Sequence, residues 1–384
     1  MKAVHFKTVA IGLAMFSMFF GAGNVIFPLV IGHYAQDKTL FAVLGLLITA
    51  VAVPFAGLIT MIMFDGDQKR YFGVLGKIPG FLMALMIITL LGPLGSTPRC
   101  IALAYSTIKL SFGELSAPLF NALACVIIYV FTYQKKYILN WLGYFLTPLL
   151  LGSLAFIIVK GLFTAEVQHT MSESSLSIFL QGLKEGYNTM DLLAALFFSS
   201  IILHSIKETL LVHPEQKMTT LVLRACGIGA FLLAATYIGF SYVASYHSHA
   251  LSIKGIEQLL GAITLKIMGP SAGLWVCFTI ALACLTTAIA LCNVFAEFVS
   301  IRVFNHKISY KQALIGTLLT TFIVANWEFA GISAFLGPVL MICYPILMLL
   351  TAYNMVRIFL EGKKLQRPEN FREIEKTKKS PSFP

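Results

Sequence analysis

Charged side chains are scarce in this sequence. Only 12% of its 384 residues are Asp, Glu, Lys or Arg, whereas 58% are hydrophobic. Soluble domains carry about 25% charged residues, so this composition excludes a water-soluble globular protein. Acids are the scarcer sign, and the net charge is +11. Basic residues that flank membrane spans account for such a charge, so a nucleic-acid partner is not expected.

Patterns that bind metals or carry out chemistry are missing as well. The seven cysteines all fall within apolar segments, without a CxxC pair or a metal-ligand spacing. We expect them to be small packing residues rather than metal ligands or disulfides. No nucleophile and base occur at a credible spacing, which argues against an integral-membrane enzyme, and no cofactor is expected. A channel is disfavoured because no continuous polar stripe is present.

Long apolar runs are abundant instead. Ten are long enough to cross a bilayer. Their limits are about 6–32, 40–63, 80–108, 116–133, 138–163, 176–204, 219–245, 271–301, 312–327 and 333–358. With a cytoplasmic N-terminus, 21 of the 28 Lys and Arg fall on inner segments or the C-terminal tail, and five fall in outer loops. The sequence therefore predicts an all-α, multi-pass membrane protein whose N- and C-termini are both cytoplasmic.

The first apolar run is interrupted near its middle. The stretch SMFFGAGNVIFP, Ser17 to Pro28, places two glycines, an asparagine and a proline inside the run. Glycine loosens a helix and proline removes a backbone donor, so the run reads as a helix broken within the membrane. Such a break is tolerated only where protein or a water-filled cavity satisfies the backbone. The alternative is a helix that is merely kinked for packing.

The sixth run carries a similar interruption, EGYNTMD, from Glu185 to Asp191. Five spans separate the two starts, so the first and sixth runs enter the membrane from opposite sides. Interrupted spans at matching positions of oppositely oriented halves indicate an inverted-repeat transporter. The predicted units are a first five-helix repeat (1–163), a second (176–358) and a flexible basic tail (361–384). The outer loop 246–270 is predicted to hold either a surface amphipathic helix or lid, or a helix that simply packs.

Broken helices offer free N–H groups on one half and free carbonyls on the other. In the first span, the N–H groups around Ala22, Gly23 and Asn24 are candidates for a substrate carboxylate. In the sixth, carbonyls near Tyr187 and Asn188 are candidates for a substrate ammonium group, and the Thr189 hydroxyl lies beside them.

A hard cation such as Na⁺ prefers oxygen ligands. The carbonyls around Ser17 and Phe20, with a hydroxyl of Thr286 or Thr287 in the eighth span, form a candidate ion site. The alternative for both threonines is a bond to a carbonyl of their own helix.

Two charged residues lie within apolar runs. Asp191 is a costly placement that suggests a function: it could pair with the substrate, hold the helix break or titrate as a proton site. The alternative is that it caps the half-helix that follows it. Arg99, beside Pro93 and Pro98, could bind a substrate carboxylate, pair with an acid or extend outward to water. Pairing with an acid is the interpretation we favour.

Four stretches together resemble one transporter family. FFGAGNVIFP, GYNTMDLLAAL, TTAIALCNVFAEF and YPILMLL are similar, in matching order from Phe6 to Leu350, to the branched-chain amino acid:cation symporters (the LIVCS family). The resemblance implies a leucine-transporter-type fold with five plus five inverted spans, within the amino acid–polyamine–organocation superfamily. It also implies Na⁺-coupled uptake of leucine, isoleucine and valine across a bacterial inner membrane.

The resemblance implies a division of the candidate residues between substrate and ion. It assigns the substrate to Gly21, Ala22, Gly23, Asn24, Gly186, Tyr187, Asn188 and Thr189, and Na⁺ to Ser17, Phe20, Thr286 and Thr287. The chain also departs from the family. Ser106 stands where a glutamate is expected, and a basic tail follows the tenth span where members usually carry two further spans. Proton coupling and a broader range of apolar amino acids remain alternatives, and the oligomeric state is not predicted.

Overall fold

The computed structural model of the chain describes residues 2–113, 115–133, 147–249, 251 and 255–360. Within these residues the secondary structure is helical, without a β-strand. The α-helices are α1 (Lys2–Phe19), α2 (Ala22–Ala35), α3 (Thr39–Leu47), α4 (Val53–Met63), α5 (Gln68–Phe72), α6 (Lys77–Leu91), α7 (Ser96–Phe112), α8 (Ala117–Tyr133), α9 (Thr147–Phe163), α10 (Ser175–Asn188), α11 (Asp191–Val212), α12 (Met218–His247), α13 (Leu259–Phe298), α14 (Tyr310–Ala325) and α15 (Glu328–Leu360).

Several helices have the length and apolar composition of membrane spans. Six helical stretches in the described residues meet both criteria, and four shorter apolar helices accompany them. The start of the predicted fifth span and the predicted tail (361–384) lie outside the described residues. The described part of the chain therefore has the all-helical architecture of a membrane protein.

Both predicted helix breaks are confirmed. The first span consists of α1 and α2, separated at Phe20 and Gly21, and the sixth consists of α10 and α11, separated at Thr189 and Met190. The third span is also divided, because α6 ends at Leu91 and α7 begins at Ser96. The sequence indicated only a disturbance by proline there, whereas the intervening GPLG turn ends one helix and starts the next.

The predicted outer amphipathic segment is a packed element. Its second half forms the start of α13, where Leu259, Leu260 and Ile263 are buried. Gly269 then leaves the helical conformation (φ 74°, ψ 173°) just before Pro270, which separates this part from the membrane-crossing part of α13. The packing interpretation therefore describes this segment better than an exposed surface helix or lid.

The broken spans lie at the centre of the helix bundle. Helix α2 packs against α12 and α3, α10 against α3, and α11 against α4, while α13 packs along α7 and also contacts α2. Nearly every residue of α2 is buried. All seven cysteines are buried. The two breaks are thus enclosed by protein, which is the condition for irregular backbone at membrane depth.

Candidate functional site

The side chain of Asn24 stabilises the break in the first span. Gly21 precedes α2 in an extended conformation, and its N–H donates to Asn24 Oδ1 at 3.2 Å. The first backbone bond of α2 joins Val25 N–H to Gly21 O at 3.3 Å. The N–H groups of residues 22–24 therefore precede the helical ladder, where a helix presents its positive dipole end.

The break in the sixth span depends on a left-handed residue. Met190 has a φ of 65°, which is unfavourable for a residue other than glycine and costs about 1–3 kcal/mol. The Thr189 hydroxyl donates to Gly186 O at 2.8 Å, and Met190 N–H donates to Tyr187 O at 3.1 Å. The Thr189 N–H also donates to Tyr187 O, so the Tyr187 carbonyl, predicted to receive an ammonium group, already accepts two backbone N–H groups.

The two breaks are in direct contact. A Cβ atom on Gly23 would lie 3.0 Å from Thr189 O and 3.2 Å from Asn188 O. This spacing is closer than an ordinary side chain permits, so glycine at position 23 allows the approach. The positive end of α2 consequently faces the carbonyl end of α10, and Gly23 in the first predicted substrate stretch meets Asn188 and Thr189 in the second.

A buried polar network joins the two helix breaks at this contact. Asn24 Nδ2 donates to Asp191 Oδ1 at 2.6 Å and also contacts the hydroxyl of Tyr237, which donates to Asp191 Oδ2 at 2.6 Å. Asp191 is 1% exposed. The N-cap residue of α11 is Met190, so the Asp191 carboxylate does not act as the N-cap of this helix. It accepts side-chain donors from α2 and α12 instead.

Arg99 lies in the first turn of α7, directly after the break in the third span. Its side chain is 1% exposed, its Nη1 donates to Asn188 O at 2.9 Å, and its guanidinium lies 5.2 Å from the Phe27 ring and 5.6 Å from the Phe329 ring. The ion pairs found among the described residues do not include Arg99. A direct ion pair with an acid, favoured from the sequence, is therefore not formed among the described residues, although Glu185 is near enough to interact electrostatically with Arg99. Burial excludes outward extension. Its Nε and Nη2 are buried without an acceptor, so they are available to an anionic ligand.

Three of the four ion-site candidates line one small cavity. Ser17, Phe20 and Thr286 line it together with Ala283, and it has room for about one water-sized group. The Thr287 hydroxyl bridges two carbonyls, 3.2 Å from Phe20 O and 3.1 Å from Ala283 O. The Thr286 hydroxyl bonds Ala283 O at 2.7 Å, within its own helix. Thr287 therefore links α13 to the break in the first span, while Thr286 follows the back-bonding alternative.

Three residues at the breaks were missed from the sequence. Tyr237 belongs to the polar network described above. The Tyr344 ring stacks on Tyr187 at 4.7 Å, and its hydroxyl donates to Thr49 O at 3.1 Å and accepts Leu192 N–H at 3.1 Å. Thr49 lies in a π-helical turn, a feature frequent at functional sites, and packs against Gly186. The only signal for the tyrosines was a phenol in mid-span that needs a partner.

Ser106, which replaces the expected glutamate, lies on α7, seven residues after Arg99. It lines a cavity of 350 Å³ near the ends of α7 and α15. Lys109, Glu257 and Glu328 line the same cavity. The carboxylates of Glu257 and Glu328, from other segments, thus line the cavity in which Ser106 stands at the position of the expected glutamate.

Solved transporter structures share this architecture. The chain superposes on MhsT in complex with L-phenylalanine with a TM-score of 0.61 at 16% identity, over 91% of this chain and 88% of that one. It matches Mhp1 in a closed conformation with bound bromovinylhydantoin (TM-score 0.62, 19% identity, 93% and 78% coverage). A Na⁺-coupled sialic acid symporter gives a TM-score of 0.61 at 11% identity, over 91% and 78%. These likenesses establish a leucine-transporter-type fold.

Sequence relatives define the family. A protein of Staphylococcus epidermidis, named as a branched-chain amino acid carrier whose role is itself inferred, is 29% identical over 386 residues, covering 94% of this chain and 84% of that protein. A relative from Staphylococcus aureus with the same inferred role is 29% identical over 392 residues, with 94% and 84% coverage. The family model described as "Branched-chain amino acid transport protein" matches residues 4–369. The chain therefore belongs to the branched-chain amino acid transport protein family, and it is a membrane carrier rather than an enzyme.

Proposed function

We propose that this chain is a secondary active symporter that imports leucine, isoleucine and valine with Na⁺ across a bacterial inner membrane. The proposal includes ten spans in a five-plus-five inverted repeat, with both termini cytoplasmic. Na⁺ is cargo here, bound and released with each transport cycle. Family membership supports amino acid transport, while the coupling ion, the preferred substrates and the topology are inferences of our own.

One observation carries the proposal, the contact between the two helix breaks. The α2 end offers N–H groups and the α10 end offers carbonyls, with Gly23 allowing them to approach. A zwitterionic amino acid presents the two complementary charges, a carboxylate and an ammonium group, at a matching short separation. The buried guanidinium of Arg99 has unpartnered donors beside the same break, and these are suited to a carboxylate.

An apolar side chain suits the surroundings of the first break. The Phe16 and Phe20 rings stack at 5.0 Å, and Phe20 lies 6.5 Å from the Phe240 ring. All three phenylalanines are fully buried. Burying a branched aliphatic chain against such rings contributes about 1.5–3 kcal/mol, which favours leucine, isoleucine and valine over polar amino acids.

Sodium coupling is proposed from the geometry of the small cavity. Ser17, Phe20 and Thr286 line it, and the Thr287 hydroxyl bonds the main-chain carbonyl of Phe20. An ion there would tie α13 to the broken first span, which also forms the substrate site. Ion and substrate would then favour the same closed arrangement, and this shared preference is the basis of coupling.

The test is uptake of radiolabelled leucine into proteoliposomes. We expect accumulation with an inward Na⁺ gradient and little uptake when K⁺ or choline replaces Na⁺. Unlabelled isoleucine and valine should compete, while charged amino acids should not. Uptake that responds to neither a Na⁺ gradient nor a proton gradient would exclude symport.

Proton coupling is a second candidate, favoured by the buried carboxylate of Asp191. A pH gradient would drive uptake in this case, and Asp191→Asn would abolish that uptake. Uptake driven by Na⁺ alone, with no response to a pH gradient, would exclude it.

A further inference from the structure

A second large cavity lies at the opposite end of α6 from the helix breaks. It has a volume of 790 Å³ and is formed by α5, the start of α6 and the segment that follows α13. The basic residues among its lining are Lys69, Arg70, Lys77, Arg302 and His306. Among the described residues that line it, none is an aspartate or glutamate. The cavity is therefore a concentrated positive site without internal neutralisation.

The positive charge of this cavity is only slightly offset by neighbouring acids. Arg70 lies 3.6 Å from Asp67, in a pair that is mostly exposed and weak. Among the described residues, the ion pairs found leave out Lys69, Lys77 and Arg302. Three basic side chains thus remain to bind an external anion.

The cavity also has an apolar wall, and this wall continues onto the exposed face of α6. Phe72, Ala84 and Phe298 line its interior. Beside it on α6, Ile78 is 73% exposed and Leu82 is 55% exposed. Exposed apolar side chains on a membrane helix face lipid tails. The cavity therefore joins a positive pocket to an acyl-chain surface, a combination that matches an amphiphile with a negative head.

We propose that this cavity binds the headgroup of an anionic phospholipid, with the phosphate among Lys69, Lys77 and Arg302 and the acyl chains along α6. A soluble anion would make no use of the apolar wall. Clusters of basic residues at one end of a membrane bundle are suited to this class of lipid. The site is separate from the substrate and ion sites, so it does not depend on the proposed function.

A lipid at this position would connect two elements that lead to the helix breaks. Lys77 begins α6, which ends at the break that places Arg99, and Arg302 follows α13, which carries Thr287. The two helices also touch further along, where a Cβ on Gly92 would lie 2.9 Å from the Phe295 ring. A bridging phosphate would hold the ends of α6 and α13 together, so the lipid is expected to raise the thermal stability of the carrier.

The test uses native mass spectrometry of the full chain to compare how strongly the wild type and two variants retain phosphatidylglycerol and phosphatidylcholine. The variant Lys77→Gln/Arg302→Gln changes two exposed side chains, so the fold should be kept. The matched control, Lys217→Gln/Arg224→Gln, removes the same charge from exposed positions outside the cavity. Each basic residue near a headgroup strengthens binding about fivefold, so the first variant should bind phosphatidylglycerol about 30-fold more weakly. The control should change less than threefold, and phosphatidylcholine retention should not differ among the proteins.

Two further arms distinguish the alternatives. Lys77→Arg/Arg302→Lys keeps both charges and should retain phosphatidylglycerol, whereas loss in this variant would contradict a charge-based site. Soluble sn-glycerol 3-phosphate at millimolar concentration should not displace the lipid, and complete displacement would assign the cavity to a soluble anion. Equal retention of phosphatidylglycerol and phosphatidylcholine, or an equal loss in the control variant, would overturn the proposal. Thermal midpoints in phosphatidylcholine nanodiscs confirm that each variant is folded.

Discussion

Replacement of Thr287 by alanine tests the proposed ion site most directly. Its hydroxyl is the group of α13 that reaches the broken first span, 3.2 Å from Phe20 O. In the proposed Na⁺-bound state, this hydroxyl turns a lone pair toward the ion while the Phe20 carbonyl coordinates from the other side. Thr287→Ala removes one oxygen ligand and leaves the carbonyl in place.

The size of the effect follows from the cost of one contact with a charge. Such a contact contributes about 1.5–3 kcal/mol, which corresponds to about a 10- to 150-fold change in affinity. The Na⁺ concentration that gives half-maximal leucine uptake should therefore rise by at least about tenfold. The preference for leucine over valine should change little, because the Thr287 hydroxyl belongs to the proposed ion site and not to the proposed substrate site.

The assay is leucine uptake into proteoliposomes over a series of Na⁺ concentrations. Thr287→Ser restores the hydroxyl and should recover most of the Na⁺ affinity. Thr264→Ala is a matched control, since Thr264 is a buried threonine of α13 whose hydroxyl bonds Leu260 O of its own helix at 2.7 Å. A wild-type Na⁺ response in Thr287→Ala, or an equal shift in Thr264→Ala, would refute the ion assignment.

Three more substitutions test separate parts of the structure. Tyr237→Phe removes a donor from the buried carboxylate of Asp191, so it should destabilise the carrier by about 1.5–3 kcal/mol and lower the thermal midpoint in detergent. Gly23→Ala adds a methyl group 3.0 Å from a carbonyl of the second break, so it should lower both leucine affinity and the maximal uptake rate. A hydrogen bond from Lys266 holds the pKa of Glu166 below its usual 4.5, so this ion pair stabilises the protein above that pH and its contribution is lost as the pH falls through the lowered pKa. Because Glu166 is half exposed, Glu166→Gln should cost less than about 1 kcal/mol at pH 7, and its thermal midpoint should converge with that of the wild type on acidification.

Matched changes elsewhere separate these effects from general damage. Tyr105→Phe removes a more exposed phenol that donates to Leu115 O, so it should leave the midpoint almost unchanged. Gly227→Ala adds a methyl group in open space on a helix, so uptake should be kept. An equal loss of stability in Tyr105→Phe and Tyr237→Phe, or normal uptake in Gly23→Ala, would contradict the roles assigned here. A midpoint difference for Glu166→Gln that persists at pH 3 would contradict the ion-pair argument.

The location of the two main breaks could be predicted because their causes are local. Glycine and polar residues in the middle of an apolar run destabilise a helix wherever the run is placed, and the stretches beginning at Gly21 and Gly186 showed this directly. The third break was underestimated. Pro93 marked it, but proline is also found in kinked, continuous membrane helices, as Pro338 and Pro345 are in α15.

The partners of the charged residues could not be predicted, because they come from distant parts of the chain. Asp191 and Tyr237 are 46 residues apart, and Arg99 reaches the Asn188 carbonyl across 89 residues. Nothing in a single sequence distinguishes a carbonyl acceptor from a carboxylate acceptor for a buried arginine. For Arg99, the direct hydrogen-bond partner is therefore a backbone carbonyl, while the acid Glu185 acts on it through charge without a direct ion-pair contact.

The contact between the breaks also suggests how cargo and conformation are linked in the proposed carrier. Without cargo, the positive end of α2 lies against the carbonyl end of α10, and the side-chain bonds of Asn24 to Gly21 and Asp191 support this contact. A zwitterion carries the same two charges, so it replaces this contact with two of its own, while a molecule with one charge would leave one helix end desolvated and unpaired. Selectivity for the amino acid backbone then arises from main-chain groups, and selectivity for the side chain arises from the phenylalanines beside Phe20. Leucine analogues that lack either the carboxylate or the ammonium group should therefore fail to compete with leucine, even though they carry the same side chain.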